Sequence, residues 1–273
     1  MNDDSESLFF RWSSHVGSDD GAFAELDDTL GRRLQRRIGG VSTTRRGGVS
    51  ADPFRGFNLG MHVGDDVEAV RENRRLLTEL AGDDVEFCWL HQVHGVEVAW
   101  ANEVREAKTP VEADACVSDR PGLACVVMTA DCLPVLICDK EATVVAAAHA
   151  GWRGLAEGVL EATMEAMDRR ASELIVWLGP AIGAQRFEVG QEVFAAFEAE
   201  VENAAEHFKP SPFHPDSRWV ADLYGLARQR LHSAGVEKIF GGGECTYGDE
   251  ERFFSYRRDG QTGRMATAIW LRP

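Results

Sequence analysis

The sequence predicts an α/β fold, a single domain over residues 1–273 built around a mixed sheet. Three observations carry that prediction. Short apolar, β-branched runs cut by turn residues recur through the middle of the chain, among them "LACVVM", "LPVLICD" and "TVVAAAHA". Longer segments with apolar residues every three or four positions are interspersed with them and read as packing helices. The length of 273 residues suits one large α/β domain, and no linker-like stretch divides it.

The elements follow in order. Residues 1–40 are charged and poorly patterned; they are expected to form an N-terminal extension with an edge strand and a variable loop, "GSDDGAFAELDDTLGRRLQRRIGG". Residues 43–66, rich in Gly, Asp and Pro, read as a long loop, and such loops in a domain of this size are usually functional. Residues 66–82 read as an amphipathic helix with an Asp at its start and Gly82 at its end. Strands are expected at 86–90, 97–101, 113–118, 123–128, 133–139 and 143–150. A helix at 154–171, a strand at 173–179 and helices at 190–204 and 218–235 come next, the last closed by Gly235. Strands at 236–240, 253–258 and 265–271 complete the chain.

Composition removes several function classes. A formal net charge of −16 argues against a nonspecific nucleic-acid surface, which needs clustered Lys and Arg. No segment is apolar enough to span a membrane, and the first residues show neither a basic n-region nor an apolar run, so a cytoplasmic protein is expected. The six cysteines have no CxxC spacing; Cys88, Cys116, Cys125 and Cys138 read as buried reduced thiols.

Cys132 is different. In "CVVMTADCLPVLICD" the break between two apolar runs holds an acid and a thiol, Asp131 and Cys132. If 123–128, 133–138 and 143–149 form a meander, that turn meets the end of the third strand, where His149 lies. "HQVHG" after the strand at 86–90 adds His91 and His94 in a loop. One Cys and two His suit zinc with an open coordination position, and the same donors also suit copper. A Cys132–His149 nucleophile pair is the alternative these residues leave open. "HAGWRGLAEG" ends a strand and opens a helix through Gly151 and Gly154, where backbone N–H groups could approach an anion and Arg153 could grip phosphate. "TTRRGG" and "FFSYRRDGQTGRM", with Arg257, Arg258 and Arg264, are further Gly-rich basic loops in an acidic chain, and hint at an anionic substrate.

Taken together, "TTRRGGVS", "FNLGMHVGDD", "QVHG", "ADACVSDRPG", "MTADCLPVLICD", "AAAHAGWRGL", "LGPAIGAQRFEVG", "CTY" and "FFSYRRDGQTGRMA" closely resemble the YfiH-like family, also called the polyphenol oxidase or laccase-domain family. The resemblance covers residues 40–273. It implies an α/β/α sandwich related to the catalytic domain of cytotoxic necrotising factor, a Cys–His deamidase. It implies zinc bound by His94, Cys132 and His149, with His91 outside the pattern, and places the family's Arg at Arg45. Arg45, Asn58 and Arg153 are the expected substrate and phosphate contacts, and Asp131 and Cys132 the expected catalytic pair, with Asp131 as proton carrier.

The activity implied is phosphorolysis of adenosine, inosine and S-methyl-5'-thioadenosine to free base and (methylthio)ribose 1-phosphate, with adenosine deamination beside it. The expected partners are thus purine nucleosides and phosphate, and a monomer is expected. Two other readings come with the family. One is a hydrolase editing a peptidoglycan precursor with Cys132 as nucleophile. The other is a copper-dependent polyphenol oxidase, which needs several copper centres, whereas this chain has eight His and one compact Cys/His set.

Overall fold

The apolar runs form two stacked sheets rather than one. The structure, a computed structural model, describes residues 9–11 and 28–273. In chain order its elements are β1 (Phe9–Arg11), α1 (Asp28–Arg37), β2 (Ile38–Thr43), α2 (Val67–Ala81), β3 (Glu86–Cys88), β4 (Val98–Trp100), α3 (Ala101–Glu106), β5 (Ala115–Ser118), β6 (Leu123–Thr129), β7 (Leu133–Asp139) and β8 (Val145–Ala150). There follow α4 (Trp152–Glu157), α5 (Val159–Met167), β9 (Leu174–Leu178), β10 (Glu188–Val189), α6 (Gln191–Glu200), β11 (Phe208–Pro210), β12 (Trp219–Ala221), α7 (Leu223–Ser233), β13 (Lys238–Gly241), α8 (Tyr256–Asp259) and β14 (Met265–Leu271).

One mixed sheet has the order β1-β2-β14-β6-β3, a second β13-β9-β7-β8-β5-β4, and β10-β12-β11 make a small third. Side chains alternate between the two faces of a strand. Val135 and Ile137 of β7 therefore pack under α4–α7, while Leu136 and Cys138 face Cys125 and Val127 of β6 in the other sheet. Ala124 and Val126, on the outer face of β6, pack with Leu77 of α2. The layering is helix, sheet, sheet, helix, which corrects the expected α/β/α sandwich around one sheet. Both faces of each sheet are covered, so the strands read as unbroken apolar runs, and such runs do not tell a covering helix from a covering sheet.

The meander is corrected in the same way. β6 pairs with β14 and β3, not with β7. Residues 130–132 therefore cross from one sheet to the other. The half of the meander that matters holds: β7 and β8 are antiparallel, with Pro134 opposite His149.

Other differences have local causes. The stretch read as loop at 17–40 contains α1 and the start of β2; its residues 17–27 lie outside the described part. Gly39 obscures β2 in the sequence, yet a Cβ there would lie 2.2 Å from the Trp270 ring. The expected helix at 154–171 is broken by Gly158 at φ 102°. Residues 219–221, read as helix, form β12, and α7 begins at the cap Asp222, which accepts from Gly225 N at 3.0 Å. "FFSYRR" is not a strand: Phe253 and Phe254 are buried against Ala130 and Met265, and Ser255 caps α8. The helix at 66–82 stands as expected, capped by Asp66 and ended at Gly82. Among the described residues no helix is long and apolar enough to cross a membrane.

Candidate functional site

Three elements bring the expected ligands together. Cys132 directly precedes β7, His149 is the penultimate residue of β8, and His94 lies in the loop between β3 and β4. Their ligand atoms all lie within 4.8 Å of one another, with Cys132 Sγ 3.9 Å from His94 Nε2. The two imidazoles meet edge to face, ring centres 4.8 Å apart. Among the described residues this is the one cluster of three or more His, Cys, Asp or Glu side chains with metal-binding geometry. His91 is not part of it; its ring is exposed and lies 3.7 Å from Glu112.

Asp114 organises the centre. It directly precedes β5, its carbonyl accepting from His149 N at 2.7 Å, and is fully buried. Its carboxylate accepts from the backbone N–H groups of Val93, His94 and Gly95 at 3.1, 3.0 and 2.7 Å. Successive N–H groups around one carboxylate form an anion nest, here with His94 at φ 64°. The same carboxylate accepts from His149 Nδ1 at 2.7 Å. One buried charge thus fixes the His94 loop and the His149 ring, leaving Nε2 of His149 as its free ligand atom. Burial raises the Asp114 pKa, but the His149 hydrogen bond and the loop N–H groups outweigh it and hold the carboxyl below its ordinary value. Asp114 was not singled out in the sequence. The signal available was an acid opening an apolar strand, "ADACVS".

Charge is shared tightly at the centre. Burial pushes the Cys132 thiol up, but His149 and His94 more than offset it and the pKa is lowered to about 6. Burial lowers His149, but Cys132 and Asp114 more than offset it and the pKa is raised to about 9. At neutral pH the metal-free pair is thiolate and imidazolium. The thiolate is the reactive form of cysteine. Iodoacetamide should therefore label Cys132 at pH 7 well before Cys88, which burial pushes up to about 12. Mass spectrometry over pH 4–9 should find the Cys132 rate rising through about pH 6. A midpoint at an ordinary thiol value would contradict this charge state.

Room for a ligand is also built in. A Cβ on Gly151 would lie 2.9 Å from the His94 ring and 3.2 Å from Cys132 Sγ. Gly151 has an ordinary φ of −63°, so its missing side chain serves space and not backbone strain. Gly154 serves packing: a Cβ there would lie 2.5 Å from the Gly95 carbonyl. The donor set fits a metal: a low-pKa thiolate, one imidazole oriented by a buried carboxylate, and a second held in a carboxylate-anchored loop.

The remaining expected residues fall into different places. Asp131 is at φ 104° and almost buried. Its oxygens accept from Thr246 Oγ1 at 2.6 Å and Arg257 N at 2.7 Å. It therefore ties the C-terminal loops to the centre. Asn58 is fully buried. Its amide donates to Asp65 at 2.8 Å and accepts from Gly60 N and Arg264 N, both at 2.9 Å. It shapes the 58–65 loop. Arg45 is half-buried, with its guanidinium 4.7 Å from the Phe254 ring centre and a bond to the Glu250 carbonyl. Arg153 is exposed at the start of α4, stacked on Trp152 at 4.3 Å.

Comparison with known proteins agrees with this architecture. The family model for multi-copper polyphenol oxidoreductase laccase matches residues 40–272. A Pseudomonas aeruginosa protein named purine nucleoside phosphorylase is 54% identical over 235 residues, covering 86% of this chain and 94% of its own. The purine nucleoside phosphorylase YfiH of Escherichia coli is 50% identical over 234 residues, covering 86% and 94%. Among solved structures, a Neisseria meningitidis protein superposes with a TM-score of 0.82 at 48% identity, covering 86% of this chain and 95% of that one. YlmD from Geobacillus stearothermophilus gives 0.77 at 33% identity, covering 86% and 92%. With the match running from residue 40 almost to the C-terminus and half of the aligned residues shared with YfiH, the chain belongs to the YfiH-like, laccase-domain family.

Proposed function

We propose that the protein is a zinc-dependent purine nucleoside phosphorylase for adenosine, inosine and S-methyl-5'-thioadenosine, with adenosine deamination as a side activity. The observation that carries this reading is the His94–Cys132–His149 cluster in a chain whose relatives are named purine nucleoside phosphorylases. In phosphorolysis a phosphate oxygen forms a bond to C1′ as the bond from C1′ to the purine nitrogen breaks. The base leaves with the bonding pair and takes up a proton; the sugar leaves as the 1-phosphate. Bound zinc supplies Lewis-acid stabilisation of oxygen charge.

The chain's own residues have distinct parts in this proposal. His94, Cys132 and His149 hold the metal, and Asp114 orients His149 through Nδ1. Asp131 positions the loops carrying Thr246 and Arg257 and, beside Cys132, is the candidate proton carrier. Arg153, with no ion pair among the described residues, meets an anionic group at the rim, while Arg45 and Asn58 hold the surrounding loops.

One observation favours a second reading. Cys132, His149 and Asp114 lie in the order of a thiol nucleophile, its base and the orienting acid. That is the arrangement a Cys-dependent hydrolase acting on a peptidoglycan precursor would use. Copper oxidation of phenols finds less support, because the described residues gather one donor cluster and not several.

The test is chromatography of zinc-loaded protein with adenosine, with and without phosphate. Adenine and ribose 1-phosphate are expected only when phosphate is present, and inosine or hypoxanthine would report the deaminase. No base release at any phosphate level would overturn the reading.

A further inference from the structure

The two imidazoles of the centre are held in different ways. His149 has its second ring nitrogen on Asp114, 2.7 Å away. The His94 ring meets Cys132 Sγ through Nε2, and among the described residues no hydrogen bond holds its Nδ1. A ligating His is ordinarily oriented through its second nitrogen. The aim of His94 therefore depends on the backbone of its loop, where it sits at φ 64°.

That loop is anchored on two sides. Toward the sheet that carries His149, the His91 N–H donates to the Val111 carbonyl at 2.8 Å. The N–H groups of Val93, His94 and Gly95 converge on Asp114 on the same side. Toward the other sheet the anchor is a single side chain. Gln92 Oε1 accepts from Met128 N at 2.8 Å, and Gln92 Nε2 donates to the Met128 carbonyl at 2.9 Å. Among the described residues no other hydrogen bond joins residues 91–95 to β6.

The strand register explains why a side chain is needed there. β3 runs parallel to β6 as far as Cys88, opposite Cys125, and then leaves the sheet. β6 continues to Thr129 with β14 on its other side, Met128 opposite Ala266. Past Cys125 the edge that β3 vacates has no strand beside it among the described residues. Met128 is buried, and a buried N–H and C=O left unpaired are costly. A primary amide offers both an acceptor and donors, so it can stand in for one residue of a neighbouring strand. Gln92 fills the vacated edge in this way. It does so two residues before His94, and it grips β6 four residues before Cys132.

We propose that Gln92 is the positioning residue of His94: its paired amide ties the His94 loop to the strand that leads into Cys132, and so sets the imidazole against the thiolate before a metal binds. Asp114 fixes the same loop to the sheet of His149. With both ties the loop ligand is in register with the two ligands carried by β7 and β8. The effect on metal binding rests on the metal reading of the centre; the tether itself does not.

The test uses the full chain in metal-free form, as wild type, Gln92→Met, Gln92→Glu, His94→Ala and the double variant Gln92→Met with His94→Ala. Zinc affinity is read by competition with a chromophoric chelator. Hydrogen exchange of residues 91–95 is followed by mass spectrometry. Gln92→Met keeps the length and removes both bonds. It should weaken zinc binding by about 10- to 100-fold and speed exchange of the loop amides by about tenfold. Gln92→Glu keeps the acceptor for Met128 N but sets an oxygen against the Met128 carbonyl, so it should bind zinc no better than Gln92→Met. Because Gln92 acts through His94, the Met substitution in the His94→Ala background should change zinc affinity by less than about threefold. An equal loss in both backgrounds would mark a general loosening of the fold and overturn the proposal, as would wild-type zinc binding by Gln92→Glu. Wild-type affinity and exchange in Gln92→Met would overturn it and leave the metal site standing. Faster exchange in Gln92→Met beside a wild type that binds no zinc would uphold Gln92 as the tether of His94 and sink the metal reading.

Discussion

Cys132→Ala is expected to empty the metal site and to lower kcat/KM for phosphorolysis by about 10³, the equivalent of ~4 kcal/mol of lost transition-state stabilisation. Of the three proposed ligands, Cys132 carries the negative charge, and its thiolate is what balances His149 at the centre. The fold should survive. Cys132 is partly exposed ahead of β7, and its side-chain partners are the two imidazoles of the centre, His94 at 3.9 Å and His149. Elemental analysis should find metal well below the wild-type ratio while the thermal midpoint shifts little. Wild-type metal content with abolished turnover would instead point to Cys132 as a nucleophile.

Asp114→Asn is expected to have the largest effect on stability, about 3 kcal/mol, because one amide cannot accept what the carboxylate accepts. Three loop N–H groups and His149 Nδ1 converge on its two oxygens. An Asn would turn an NH2 toward at least one of these donors and leave that donor buried and unmet. Metal affinity should fall by about 10- to 100-fold, the usual cost of removing a carboxylate behind a ligating His. Denaturant unfolding and a competitive metal titration check the two effects. The sign of the pH dependence follows from the lowered Asp114 pKa. Its stabilisation is present above the ordinary carboxylate value of 3.8 and is lost as pH falls through the lower folded value. The variant should lack that acid-limb component.

The nearness of Cys132 and His149 was legible because it depends on a short-range feature. Two apolar runs joined by a short turn pair antiparallel, and that pairing alone brings Cys132 to His149. What β6 does beyond that turn depends on β14, more than a hundred residues away in sequence, which no local pattern announces. Asp114 went unread for a similar reason. An acid at a strand start looks like a boundary until the His94 loop is folded over it. For Asn58 and Asp131 the sequence did not announce that each also pins a loop, because their hydrogen-bond partners lie far along the chain. β2 was hidden by paired glycines, and β10, β11 and β12 are too short to carry an alternation.

The central claim is that one metal, held by His94, Cys132 and His149, is required for nucleoside cleavage. The most direct test titrates metal-free protein with zinc while base release from adenosine and bound metal are counted together. Activity that rises from background and saturates at one metal per chain is the predicted result. Full activity in the chelated protein would contradict it, and would give Cys132, His149 and Asp114 the role of a metal-independent nucleophilic triad.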